Sequence, residues 1–157
     1  MRDFERKLPS WLFVAAQMIL LGSLIFIDYH SKFDVRRFIA LGTFCEILGI
    51  IGIGVSARGL GKSLTAMPVP KLGGELSTGG LYRFVRHPMY ASVLLFSFGM
   101  ALHSGYVFRY VVTGLLMILL YFKSVYEEKY LAQIYPEYLK YAGRTPRFIP
   151  LRIRRRK

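Results

Sequence analysis

Phe38-Ile39-Ala40-Leu41-Gly42-Thr43-Phe44-Cys45-Glu46-Ile47-Leu48-Gly49-Ile50-Ile51-Gly52-Ile53-Gly54-Val55 is an apolar run broken by a single charge, Glu46. It has the length and composition of a membrane-spanning helix. Gly42, Gly49 and Ser56 recur every seven residues and share one helix face, where small side chains let another helix approach closely. Glu46 lies on that face. A carboxylate at membrane depth is costly, so it either pairs with a partner in the bundle or lines a substrate cavity.

Three further apolar runs flank this one. Trp11 to Ile27 carries no charge and one amide, Gln17, which is placed to bond across helices. Its basic lead, Arg2, Arg6 and Lys7, also suits a signal peptide. The run exits into Asp28-Tyr29-His30 with no small-x-small cleavage site, which favours a retained helix. Met89 to Leu102 and Tyr106 to Tyr126 form a helical hairpin about the turn His103-Ser104-Gly105. Arg109, near an end of its run, can snorkel to the headgroups. The second arm is expected to continue past Tyr126 as a cytosolic helix and stop before Pro136. The fold expected is all-α: one polytopic membrane bundle of about four helices (11–27, 38–55, 89–102 and 106–126), with a cytosolic C-terminal helical segment. Between the second and third runs, Ser56 to Arg86 is polar and rich in Gly and Pro, and reads as one long connecting loop.

Composition agrees. The 157 residues suit one domain, 54% are hydrophobic, 20% are charged, and the mean hydropathy is +0.36. Disorder and a disulfide scaffold are excluded, the latter because Cys45 is the sole cysteine. No metal-ligand cluster is visible. The net charge of +13 points to nucleic acid or anionic lipid, and its distribution decides for lipid. Ten of the 22 basic residues lie at or after Lys123, ending Arg152-Ile153-Arg154-Arg155-Arg156-Lys157, which should meet anionic headgroups. With four spans and both termini inside, eighteen Lys and Arg fall on the cytosolic side and four on the other. The long loop and the C-terminal part are therefore expected in the cytosol.

Two clusters carry chemistry. The first is Gly79-Gly80-Leu81-Tyr82-Arg83-Phe84-Val85-Arg86-His87-Pro88-Met89-Tyr90. Pro88 fits the first position of the third helix. The free N–H groups there, with Arg83, Arg86 and His87, suit a carboxylate or phosphate. Gly73, Gly74, Gly79 and Gly80 allow backbone to approach a ligand. The second is Lys123, Glu127 and Glu128, followed by Lys140, Arg144 and Arg147. Lys123 and Glu127 share a helix face. Glu127 and Glu128 point about 100° apart, so at most one fully faces a given pocket. If the hairpin joins the clusters, a cationic and an acidic patch could hold a zwitterion by both ends. An interfacial anchor and a solvated helix end are the bland alternatives.

Arg86-His87-Pro88-Met89-Tyr90, with Gly80-Leu81-Tyr82 before it and Glu127-Glu128-x-x-Leu131 after it, resembles the integral-membrane methyltransferases. These include the isoprenylcysteine carboxyl methyltransferases and the phospholipid N-methyltransferases. Tyr135-Pro136-Glu137-Tyr138-x-x-Tyr141 and Arg144-Thr145-Pro146-Arg147-Phe148-Ile149-Pro150 match their closing pattern, so the likeness covers about 72–150. The resemblance implies S-adenosylmethionine as cofactor, held by Leu76, Ser77, Tyr82, His87, Pro88, Tyr90, Glu127 and Glu128. It also implies methyl transfer to a lipid-like or prenylated acceptor at the cytosolic interface. Glu128 could take a proton from an amine acceptor. Lys123 and Arg144 could hold an anionic headgroup. The chain departs from the carboxyl methyltransferases in carrying Lys123 where they place an arginine, and in having room for only about four spans. Membrane sterol and steroid reductases, which use NADPH, share a related Arg-His-Pro-Asn-Tyr motif. Here Met89 replaces the Asn and Ser92 the acidic residue that usually follows, so methyl transfer is favoured. A non-enzymatic lipid-binding protein is the third class.

Overall fold

A computed structural model describes residues 2–28, 35–68 and 74–150, with side chains of the first helix from Ser10 onward. The basic end 151–157, the outer-loop residues Lys32 and His30, Gly73, and the side chains of Arg2, Arg6 and Lys7 lie outside the described residues. The described residues contain helices and no strand. The long helices are α1 (Arg2–Phe26), α2 (Ile39–Leu60), α3 (Pro88–Ser104) and α4 (Val107–Ile134). A short α5 (Tyr138–Ala142) follows. Two 3₁₀ turns, Gly61–Ser63 and Gly80–Arg83, punctuate the connection between α2 and α3.

Two segments, Ile39–Ser63 and Val107–Ile134, are long and apolar enough to cross a membrane, while Ser10–Phe26 and the 17-residue α3 are shorter apolar helices. At about 1.5 Å per residue, α3 reaches roughly 25 Å. Lipid explains what these helices leave uncovered. Phe44, Ile47, Ile51 and Val55 on α2, and Val111, Leu115, Ile118 and Phe122 on α4, are exposed and recur at helical spacing. Such continuous apolar stripes suit a bilayer and would be a liability in water. The chain is a helical membrane protein.

α2 and α3 run antiparallel in close contact. A Cβ on Gly42 would stand 2.6 Å from the His103 backbone N, and one on Gly49 would stand 2.7 Å from the Phe96 Cβ. The seven-residue spacing of small residues thus serves helix packing. α3 covers the face at these points, so they offer no space to a ligand. Glu46 resolves in favour of pairing, since its Oε1 lies 3.3 Å from His103 Nδ1. α4 packs on both α3 and α1, and Leu24, Val93, Val112, Leu116 and Leu120 form the buried core between them.

Three expectations are corrected. α2 does not give way to loop at Ser56 but continues to Leu60. The Ser56 hydroxyl donates to the Gly52 carbonyl at 2.7 Å, and the helix ends at Gly61, whose φ of 49° only glycine adopts freely. Arg109 does not snorkel. It pairs with Asp28 at 2.9 Å and stands 5.5 Å from the Tyr106 ring centroid. The hairpin turn is tighter than His103-Ser104-Gly105, because α3 includes Ser104 and only Gly105, at φ 73°, is left-handed. The extension of the last long helix past Tyr126 and its stop before Pro136 are as expected.

Candidate functional site

The two clusters meet at one end of the bundle, where α2 ends, α3 begins and α4 ends. Pro88 opens α3 at its first turn and sets that start. The polypeptide after α4 then folds back over it. The Arg86 N–H donates to the Pro146 carbonyl at 2.8 Å and the His87 N–H to the Arg147 carbonyl at 3.0 Å. The Tyr141 hydroxyl donates to the Tyr82 carbonyl at 2.5 Å. The closing segment therefore straps the Arg-His-Pro stretch in place. These two N–H groups are consequently not free for an anion, and Arg83 is exposed and off the cavity wall.

Between strap and helices lies a cavity that opens to solvent. Its wall carries Leu76, Ser77, Tyr82, His87, Tyr90 and Glu127, six of the residues expected around the cofactor. The strand of backbone bearing Leu76 and Ser77 is pinned across it. The Glu75 N–H donates to Ser63 Oγ at 2.9 Å, Ser77 Oγ donates to the Gly59 carbonyl at 2.9 Å, and Tyr135 donates to the Gly74 carbonyl at 2.7 Å.

The adjacent acids face different ways. Glu127 is on the cavity wall, where the Tyr90 hydroxyl donates to its Oε2 at 2.7 Å and His87 Nδ1 stands 3.7 Å away. Glu128 is turned behind the wall. Arg147 donates to it from Nε at 3.0 Å and from Nη2 at 2.7 Å, His87 Nε2 lies 3.0 Å from its Oε1, and Arg86 Nη2 lies 3.5 Å away. The His87 ring also stacks on Tyr90, with centroids 5.3 Å apart and planes 2° apart. His87 thus stands between the two carboxylates.

The remaining expected residues lie elsewhere. Pro88 is buried at the start of α3 and lines nothing. Lys123 is buried away from the cavity wall, donating to Gln17 Oε1 at 2.6 Å. Arg144 is exposed and off the wall. Sequence reasoning gave no role to Tyr135, Tyr138 and Tyr141, which complete the wall with Arg86, Glu75 and Leu131. The tyrosines stood in the closing pattern, and their i, i+3, i+6 spacing was the available signal.

Two buried polar atoms on this wall, Arg86 Nε and the Tyr138 hydroxyl, have no hydrogen-bond partner among the described residues. Burial, then the Glu128 charge, pushes the Tyr138 phenol above its ordinary range. Burial, then Glu127, does the same to Tyr82. Burial, only partly opposed by Arg86, takes Tyr141 to about 12. All three phenols therefore stay protonated and can donate. The hydrogen bonds that Arg147 donates to Glu128, and that carboxylate's charge, raise Arg147, so the guanidinium stays ionised. Arg86 and Tyr138 are thus donors awaiting an acceptor, and Glu127 and Tyr90 offer a carboxylate and a ring face. A zwitterion with a cationic centre fits this set.

The chain is similar to known proteins. The chain is 31% identical over 150 residues to the cobalt-zinc-cadmium resistance protein CzcN of Cupriavidus metallidurans, an alignment covering 93% of this chain and 64% of that protein. The chain therefore spans less than two thirds of that relative's length. The model of the phospholipid methyltransferase family matches residues 37–138, from just before α2 to the start of α5. That span holds the cavity-lining residues other than Tyr141, and the chain belongs to the phospholipid methyltransferase family.

Proposed function

We propose that the protein transfers a methyl group from S-adenosylmethionine to a lipid-like acceptor at the membrane surface. One observation carries this reading: the cavity joins two buried, unpartnered donors, Arg86 Nε and the Tyr138 hydroxyl, to the carboxylate of Glu127. Arg86 and Tyr138 would hold the carboxylate of the cofactor's amino-acid end, with Glu127 near its cationic groups. Leu76, Ser77 and Tyr82 would line its remainder. Bound there, S-adenosylmethionine supplies an electrophilic methyl group.

The chain's own part is orientation. Tyr90 and His87 fix the Glu127 carboxylate, and the Glu128–Arg147 latch fixes His87. Displacement at a methyl group needs alignment more than acid–base help. An ionised carboxylate or thiolate acceptor requires no base. An amine would release its proton to a carboxylate on the wall, Glu127 or Glu75, because Glu128 is occupied by two arginines and Glu46 by His103. The basic residues beyond α4 would hold the cytosolic end against anionic headgroups.

Calorimetry with S-adenosylhomocysteine on the purified protein tests the cofactor. Wild type should bind, and His87→Ala and Glu127→Ala should each bind at least about tenfold more weakly. Equal affinity in all three proteins would place the cofactor elsewhere. Binding of NADPH in its stead would favour a reductase.

A further inference from the structure

α1 precedes residues 37–138, the part of the chain matched to the family, yet it is wired to the cavity. α1 and α4 are antiparallel, and three side-chain contacts set their register. Phe13 packs on Tyr126 with ring centroids 5.7 Å apart, Lys123 donates to Gln17, and Arg109 donates to Asp28. The middle contact is unusual. Lys123 is 2% exposed, and no carboxylate among the described residues lies within ion-pairing distance of it. An ammonium without a counter-ion at that depth is costly, and costly groups are kept for a reason.

Its two partners show what that reason is. One is the Gln17 carbonyl oxygen at 2.6 Å, and the other is the Tyr90 ring, whose centroid lies 5.3 Å from Nζ. Tyr90 in turn donates to Glu127. A line of contacts thus runs from α1 to the cavity wall: Gln17, Lys123, Tyr90, Glu127. Lys123 and Glu127 are also four residues apart on one helix, the spacing at which such side chains pair. They do not pair here, because Gln17 holds the ammonium on the α1 side.

Resting on the cofactor reading above, we propose that Gln17 and Lys123 are positioning residues of the site. Lys123 fixes the Tyr90 ring from below through its face. Gln17 keeps the ammonium off Glu127, so that this carboxylate remains available to a cationic ligand. α1 is thereby part of the binding apparatus and more than a packing helix.

The test is S-adenosylhomocysteine affinity of the full chain in detergent, with thermal melting in parallel. Gln17→Leu should weaken binding about tenfold, because the released ammonium turns to Glu127. Lys123→Met should weaken it only about threefold, through loss of the ring contact. The double variant should bind like Lys123→Met alone, since without an ammonium Gln17 has nothing to restrain. Lys123→Met exchanges a buried charge for an apolar chain of similar length, so it should fold even if Gln17→Leu does not. Unchanged affinity in Lys123→Met overturns the proposal. So does a Gln17→Leu protein that melts earlier yet binds normally, or a double variant in which the two losses multiply. A wild type that fails to bind S-adenosylhomocysteine sinks the cofactor reading itself, whereas a binding wild type with unaffected variants sinks only the role of α1.

Discussion

Glu127 and Glu128 are neighbours with opposite duties. Glu128 accepts two hydrogen bonds from Arg147 and touches His87 and Arg86, and its side chain is 13% exposed. Glu128→Gln leaves Arg147 and Arg86 facing a neutral amide, and removing one member of such a buried cluster costs about 3 kcal/mol. The expected outcome is a clear fall in melting temperature, with the strap over Arg86 and His87 loosened. Glu127 accepts a hydrogen bond from Tyr90, has His87 Nδ1 3.7 Å away, and its side chain is 26% exposed. Glu127→Gln keeps a hydrogen-bonding oxygen for Tyr90, so stability should stay within about 1 kcal/mol of wild type while cofactor affinity falls. Melting curves and binding isotherms on both variants separate the two roles; the same profile for both acids would contradict the geometry. The 100° offset between adjacent helical residues made this division legible before any coordinates. Which acid faces the cavity was not legible, because that depends on Arg147, reached through a reversal of the chain after α4.

At the scale of elements, the close crossing of α2 and α3 governs the site, since the cavity sits where these two helices meet α4. Gly49 is buried with no room for a Cβ beside Phe96. Gly49→Val should therefore push the helices apart and cost about 3 kcal/mol or more, lowering the melting temperature and cofactor affinity together. Gly54, on the same helix with nothing within 4 Å of a built Cβ, is the control. Gly54→Ala should be neutral or slightly stabilising, by up to about 1 kcal/mol. The seven-residue spacing of Gly42, Gly49 and Ser56 disclosed this face, and Pro88 disclosed where α3 starts. The end of α2 was hidden, because Ser56, Arg58 and Gly59 look like loop residues. In the folded chain Ser56 bonds its own helix backbone, and a Cβ on Gly59 would come within 3.3 Å of the Tyr82 ring. The partner of Lys123 was equally hidden: Gln17 is 106 residues away, and only the antiparallel docking of α1 on α4 brings them together.

At the scale of the whole molecule, polarity is distributed along the bundle axis. The cavity end holds Arg86, His87, Glu127, Glu128 and Arg147. The opposite end holds the Asp28–Arg109 and Glu46–His103 pairs. The eighteen-to-four split of Lys and Arg read from the sequence predicts that the cavity end faces the cytosol. Reporters fused after Lys157 and within residues 28–37 should then report opposite sides of the membrane, and a shared side would refute four spans with cytosolic termini. The same axis fixes where an acceptor must present itself. The wall's apolar members Leu60, Met89 and Leu131 stand at the cavity ends of α2, α3 and α4. On the proposed function, a methyl group delivered there would lie at headgroup depth. An acceptor with an apolar tail is already concentrated in the bilayer at that depth, whereas a small soluble acceptor must arrive from the cytosol. The tail cannot lie along the small-residue face of α2, which α3 fills, so its contacts must come from the exposed stripes of the helices or from lipid. That favours enrichment and orientation over tight enclosure. Comparing a long-chain acceptor with its tail-truncated analogue should therefore show a large loss of kcat/KM for the short one. The loss should shrink when the analogue is supplied at a concentration matching the membrane density of the long-chain acceptor. Equal efficiency on both from the outset would mean that the tail plays no part and that the acceptor is a soluble molecule.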